Sequence, residues 1–184
     1  MTTLTTITGS TPSRRRDAEA ADDGGTEMLR QIGALCFRVH RGKLQILLIT
    51  SRDTGRWVIP KGGLIAGLGP ADSAAEEAWE EAGAVGSVQH LAIGSFAYAK
   101  RLRARPARPC LVEVFPLKVE RMAERFPERG QRRRKWFSPA KAAAKVHEPE
   151  LARMLADFLP PGAASRDAGR ELGRDPGRSS GADA

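Results

Sequence analysis

The sequence predicts an α/β layered domain, a mixed β-sheet packed between helices, on three observations. Runs rich in β-branched and aromatic residues alternate with helical periodicity in the order strands, helix, strands, helix. Glycine and proline punctuate the junctions between them. An apolar content of 41% over 184 residues is enough for the core of one domain.

The elements follow in chain order. Residues 32–39 and 44–50 are β-rich runs separated by His40, Arg41, Gly42 and Lys43, a hairpin signal with glycine in the turn. Residues 57–59 form a third short strand, after which Pro60, Lys61, Gly62 and Gly63 break the pattern. A loop ending at Gly69 leads into a helix with Pro70 at its first position, where the missing N–H is harmless, and the helix ends near Gly83. Ala71, Ala74, Ala75, Ala78 and Ala82 give it one smooth side that allows close approach to a sheet, while the other side carries charge. Residues 90–98 and 110–119 read as strands joined by a Lys/Arg/Pro loop over residues 100–109, and Trp136 with Phe137 marks a last strand. Ser138 before Pro139 is a helix-start signal. Residues 149–159 continue as an amphipathic helix with Leu151, Met154, Leu155 and Phe158 inward.

Composition sets the boundaries. Residues 1–27 and 161–184 lack apolar periodicity and are expected to be disordered tails, leaving 28–160 as the domain. That middle holds 23 basic against 13 acidic residues, an excess of +10 where the whole chain carries +8. A basic domain attracts anions, and charge alone leaves polyphosphates, nucleic acid and anionic surfaces open. Cys36 and Cys110 are far apart and lie in apolar stretches, which excludes a disulfide framework or a paired-cysteine metal knuckle. No apolar run approaches the roughly 18 residues of a spanning helix, and no signal-peptide core is present, so a cytoplasmic protein without a membrane partner is expected. His40, His90 and His147 form no paired motif, which argues against zinc.

The chemistry concentrates on the first helix. Glu77, Glu80 and Glu81 stand at i, i+3 and i+4, within about 100° of one helix face, with Glu76 beside them. Hard divalent cations such as Mg²⁺ prefer oxygen ligands and often take a few carboxylates plus the phosphates of a substrate. On the helix alone a solvated acidic face is the more ordinary account. The longer spacing changes the balance: Gly62, then Glu77, Ala78, Glu80, Glu81, Gly83 and Ala84. This resembles the Nudix box, G-x5-E-x7-R-E-U-x-E-E-x-G-U with U aliphatic, at five of its seven fixed positions and without insertion. It departs at Leu68, where the box has its first Glu, and at Glu76, where it has Arg.

The resemblance implies the α/β/α Nudix fold over about residues 29–159 and magnesium-dependent cleavage of a phosphoanhydride bond, with Mn²⁺ as an alternative cofactor. Position by position it implies Glu77 as metal ligand or general base, Glu80 and Glu81 as principal metal ligands, Gly62 as the loop-shaping residue and Gly83 as the helix stop. Within the family, Ala34 to Arg38, Arg56 to Gly62 and Lys135-Trp136-Phe137 are similar to the diphosphoinositol polyphosphate and diadenosine polyphosphate hydrolases. A polyphosphorylated small molecule is therefore the expected partner. Basic residues on loops or strand ends suit phosphate oxygens, so Arg30, Arg52, Lys61, Lys100, Arg101 and Arg132 join Gly62 and Gly63 as candidate substrate contacts. The departures at Leu68 and Glu76 motivate an alternative, a catalytically weakened domain that senses a nucleotide or inositol phosphate. A lower-ranked alternative is removal of an RNA 5′ pyrophosphate; no base-stacking module favours nucleic acid. Oligomeric state is not legible.

Overall fold

The computed structural model describes residues 28–102 and 105–160. Both expected tails lie outside the described residues, as do Arg103 and the side chain of Arg101.

The chain opens with β1 (Leu29–His40) and β2 (Lys43–Thr50), joined by a two-residue turn in which Arg41 (φ 50°) and Gly42 (φ 73°) both take positive φ. That geometry matches the twist of a tight hairpin, and glycine adopts it without steric cost. The short β3 (Trp57–Val58) pairs with β2. Lys61 and Gly62, which the sequence reading left in a break, form the two-residue β4 (Lys61–Gly62) and pair with Ile32 and Gly33 of β1.

Next comes the helix α1 (Pro70–Ala82), begun by proline after an extended Gly69 and ended by Gly83 at φ 67°. Its buried Ala71, Ala74, Ala78 and Ala82 form the expected smooth side. Three strands follow: β5 (Ala84–Val88), β6 (Gly94–Leu102) and β7 (Arg105–Met122). The chain closes with β8 (Arg134–Phe137), α2 (Pro139–Ala143) and α3 (Pro149–Ala156).

The main path of the sheet runs β3-β2-β1-β7-β5, with β4 also on β1, β6 on β7 and β8 on β2. The β1–β7 pair is parallel and the others antiparallel, giving the mixed sheet. Alternation along the strands divides the core in two. Leu35, Phe37, Ile46, Leu48, Val112 and Val114 face α2 and α3, with Leu151 and Leu155 packed against them. Ala34, Cys36, Leu47, Ile49, Phe115 and Leu117 face the alanines of α1.

Three expectations need correction. The described residues of the expected loop, 100–102 and 105–109, belong to strands instead, with Ala99 opposite Pro109 and Lys100 opposite Arg108. The prolines fit because β1 begins only opposite Cys110, so that no described residue pairs with the other edge of β7 there and no N–H is needed. The strand expected over 90–98 is displaced to Gly94–Leu102, while Ala84–Val88 forms an unforeseen strand. Ala84, Gly86 and Ser87 interrupt its β-forming valines and hide it; a Cβ on Gly86 would stand 1.9 Å from the Lys118 carbonyl oxygen, beside a bulge in the β5–β7 pairing. Finally, α3 stops at Ala156, short of residue 159, although Phe158 stays buried. No helix among the described residues is long and apolar enough to cross a membrane.

Candidate functional site

Where β4 meets α1, a cleft of about 910 Å³ opens, and its wall gathers almost every predicted site residue. Arg30, Arg52, Lys61, Gly62, Gly63, Lys100 and Arg132 line it together with Glu77, Glu80 and Glu81. The side chain of Arg101 lies outside the described residues.

The carboxylates differ more than their sequence spacing suggests. Glu77 is 1% exposed and Glu81 8%, so these two are not surface groups, whereas Glu80 is only half-buried. Glu77 folds over Gly62, where an added Cβ would lie 2.1 Å from the carboxyl carbon. The glycine is thus required by the carboxylate above it, not by an unusual φ. Gly62→Ala is expected to displace Glu77 or β4, costing about 1–3 kcal/mol of stability by overpacking and lowering kcat roughly tenfold or more. Gly63→Ala, with open space around its Cβ, serves as the control. Thermal melts and steady-state kinetics on both variants check this, and equal effects would overturn it.

Glu81 is held by donors from two distant segments. Lys61 N–H donates to its Oε2 at 2.9 Å, and the Arg132 guanidinium is ion-paired to its Oε1. Burial nonetheless raises the Glu81 pKa to about 7, against the pull of Arg132 and the Lys61 N–H. Arg132 itself is 7% exposed. Its Nε donates to Glu128 Oε2 at 2.7 Å and its Nη1 to the Thr50 carbonyl at 3.1 Å. The exposed Arg52 pairs with the other Glu128 oxygen at 3.1 Å. A chain of alternating charge, Arg52–Glu128–Arg132–Glu81, therefore runs from the cleft rim to the box helix.

Backbone bonds fix this chain in place. Glu128 N–H donates to the Glu80 carbonyl at 3.0 Å, Ala123 N–H to the Gly83 carbonyl at 2.6 Å, and Arg134 Nη1 to the Ala82 carbonyl at 2.6 Å. The stretch after β7 thus wraps the C-terminal end of α1 and satisfies carbonyls that helix geometry leaves open. Sequence reasoning missed Glu128 and Thr50, which belong to no motif. It placed Arg132 as a substrate contact, and the structure commits that guanidinium to protein acceptors.

Beside Glu81, Lys61 Nζ stands 5.0 Å from the centre of the Tyr98 ring, and burial lowers its pKa. Tyr98 donates to Gln31 Oε1 at 2.8 Å. Trp57 lines the cleft while packing edge-on against Phe137, with ring centres 5.2 Å apart. Among the described residues no three of His, Cys, Asp and Glu converge to hold an ion by themselves. A divalent ion that takes part of its oxygen ligands from substrate phosphates does not need three, and carboxylates facing basic side chains across one cleft fit that mode.

The sequence model of the NUDIX domain matches residues 29–158. Diphosphoinositol polyphosphate phosphohydrolase 3-alpha of Mus musculus is 30% identical over 130 residues, 68% of this chain and 75% of that protein. Nudix hydrolase 12, mitochondrial, of Arabidopsis thaliana is 27% identical over 157 residues, 83% of this chain and 71% of that protein. Among solved structures, a C. elegans Ap4A hydrolase binary complex superposes with a TM-score of 0.54 at 19% identity, covering 70% of this chain and 93% of that one. The E. coli dihydroneopterin triphosphate pyrophosphohydrolase gives 0.55 at 14%, covering 72% and 98%. These two share the fold.

Proposed function

The chain belongs to the Nudix family, and from that premise we propose that it hydrolyses a phosphoanhydride bond of a diphosphoinositol polyphosphate or a dinucleoside polyphosphate, with Mg²⁺ or Mn²⁺ as cofactor. One observation carries the reading: Glu77, Glu80 and Glu81 share a cleft with Arg30, Arg52, Lys61 and Lys100. Anionic helix and cationic rim face each other across a space that a polyphosphate chain fills.

Arg30, Arg52 and Lys100 bind the phosphate oxygens, arginine by its two-pronged fork. Glu77, Glu80 and Glu81 would hold a divalent metal together with the substrate phosphates, and it would supply charge neutralisation and a more acidic water. Glu77, the box glutamate offered as metal ligand or general base, takes the proton of the attacking water, while Glu80 and Glu81 serve as the principal ligands. The water oxygen bonds to phosphorus in line with the bridging oxygen, which leaves with the bonding pair on the departing phosphate. Lys61 and Arg132 hold Glu81 against drift, so the ligand set is ready before substrate arrives. The buried, unbridged Cys36 and Cys110 support a reducing compartment.

A second reading is kept alive by Leu68 and Glu76: a weakened domain that binds its ligand as a sensor. Turnover separates the two. Incubation with Mg²⁺ and a panel of inositol pyrophosphates, dinucleoside polyphosphates and nucleotide sugars is expected to release phosphate-bearing products that EDTA abolishes. Tight binding without turnover across the panel would establish the sensor instead.

A further inference from the structure

The strand that carries the first cation of the cleft is also where the chain enters the sheet. Leu29, Arg30 and Gln31, the opening residues of β1, line the cleft wall. Arg30 is exposed and pairs with no carboxylate among the described residues. The β1–β7 pairing begins with Leu29 opposite Cys110, so the β7 residues just before Cys110, Pro109 and Arg108, flank the point where the preceding segment meets the sheet. Lys100 stands opposite Arg108 on β6 and lines the cleft. Arg30, Lys100 and Arg108 thus gather positive charge around the entry point, and the segment that leads to it is acidic. Asp17, Glu19, Asp22, Asp23 and Glu27 put five carboxylates into the eleven residues 17–27, with no lysine or arginine among them.

We propose that the cationic rim formed by Arg30, Lys100 and Arg108 is the docking surface of the chain's own acidic segment, residues 17–27, which competes there with the phosphates of the substrate. The inference rests on the reading of the cleft as a phosphoanhydride site. Carboxylate oxygens satisfy a guanidinium fork or an ammonium as phosphate oxygens do, but carry less charge per group, so the segment is a competitor that substrate displaces. Glu27 lies three residues before Arg30 and Asp22 eight, a reach of under about 30 Å even for a fully extended chain. Gly24 and Gly25 permit the reversal that turns Asp22 and Asp23 back toward the rim. A segment tethered this closely is present at the cleft at an effective concentration on the order of millimolar, so contacts too weak to hold two separate molecules together still compete. Residues 161–184 differ in both respects: they attach beyond α3, and their four acids are matched by four bases.

Two measurements on the full chain test this. Zero-length carbodiimide cross-linking joins a carboxylate to an amine in contact with it, and is expected to link a carboxylate of residues 17–27 to Lys100 in a product that inorganic tripolyphosphate suppresses. Calorimetric dissociation constants for inorganic tripolyphosphate, measured without metal, compare wild type with a variant combining Glu19→Gln, Asp22→Asn, Asp23→Asn and Glu27→Gln. A control combines Asp167→Asn, Glu171→Gln, Asp175→Asn and Asp183→Asn, an equal change of charge in the other terminal segment. The first variant is expected to bind tripolyphosphate about three- to tenfold more tightly than wild type at about 0.1 M salt, and to lose most of that gain near about 1 M, where the screening length is roughly 3 Å. With a hydrolysed substrate it is expected to lower KM by a similar factor at unchanged kcat, the signature of a competitor removed. The control is expected to stay within about twofold of wild type, since charges beyond a screening length act weakly. Absence of the cross-link, no tightening, or equal tightening by both variants would overturn the docking surface. If the cross-link and the affinity change appear but no phosphoanhydride is hydrolysed, the proposed activity fails and the docking surface stands. Failure of wild type and variant alike to bind tripolyphosphate would overturn both.

Discussion

Glu80→Gln is expected to lower kcat by two orders of magnitude or more while leaving the melting temperature within about 2 °C of wild type. Glutamine keeps the shape of glutamate and removes the charge a cation needs. Glu80 is the half-buried member of the three and glutamine fills nearly the same volume, so the packing of α1 is kept. The backbone bond from Glu128 to the Glu80 carbonyl is untouched. Steady-state kinetics at saturating Mg²⁺ alongside a thermal melt make the check, and a variant within threefold of wild-type kcat would remove Glu80 from the mechanism. Glu81→Gln makes a less clean experiment, because Glu81 is buried in an ion pair and its loss mixes stability with chemistry.

Arg132→Leu is expected to be the most damaging single change away from the box. It leaves Glu81 and Glu128, with side chains 8% and 13% exposed, without their shared cation. Removing one member of a buried pair typically costs about 3–5 kcal/mol, because the remaining charge is stranded out of water. For a domain of this size that corresponds to a fall on the order of 10 °C in melting temperature. Arg132→Lys keeps charge but not the three-way fork to Glu81, Glu128 and the Thr50 carbonyl, so it should fall between the two. Pairing Arg132→Leu with Glu81→Gln should recover part of the lost stability, since the stranded charge is gone. A single variant that melts within 2 °C of wild type would show that the pair is not maintained in solution.

The first hairpin, the box helix and the basic character of the cleft were all legible in the sequence, because each is encoded locally. β-rich runs around Gly42, Pro70 ahead of a stripe of alanines, and carboxylates at i, i+3 and i+4 need no knowledge of distant partners. What escaped was set by partners far away in the chain. Ala84–Val88 is a strand because β7 accepts it, not because its residues prefer to be one. Pro106 and Pro109 argued for a loop, and only the absence of β1 beside them makes a strand tolerable. Arg132 read as one more cation among Arg132, Arg133, Arg134 and Lys135; which of these turns inward depends on where Glu81 and Glu128 come to rest. Burial of Glu77 and Glu81 was hidden for the same reason, since a helix carrying four glutamates offers no local sign of which two face the sheet.

The wrapping of α1 by the stretch after β7 bears on the order in which the protein assembles during synthesis. A nascent chain that has emerged only as far as the box already carries Gly62, Glu77, Glu80 and Glu81, yet the groups that hold the helix end, Ala123, Glu128, Arg132 and Arg134, are still some forty to fifty residues from being made. The central β1–β7 pairing likewise waits for a segment about eighty residues downstream, and contacts across such separations form late and slowly. Until that closure the alanine face of α1 lacks its β7 partners Phe115 and Leu117, and Glu81 lacks its cation. The box helix is thus translated well before the residues that make it competent.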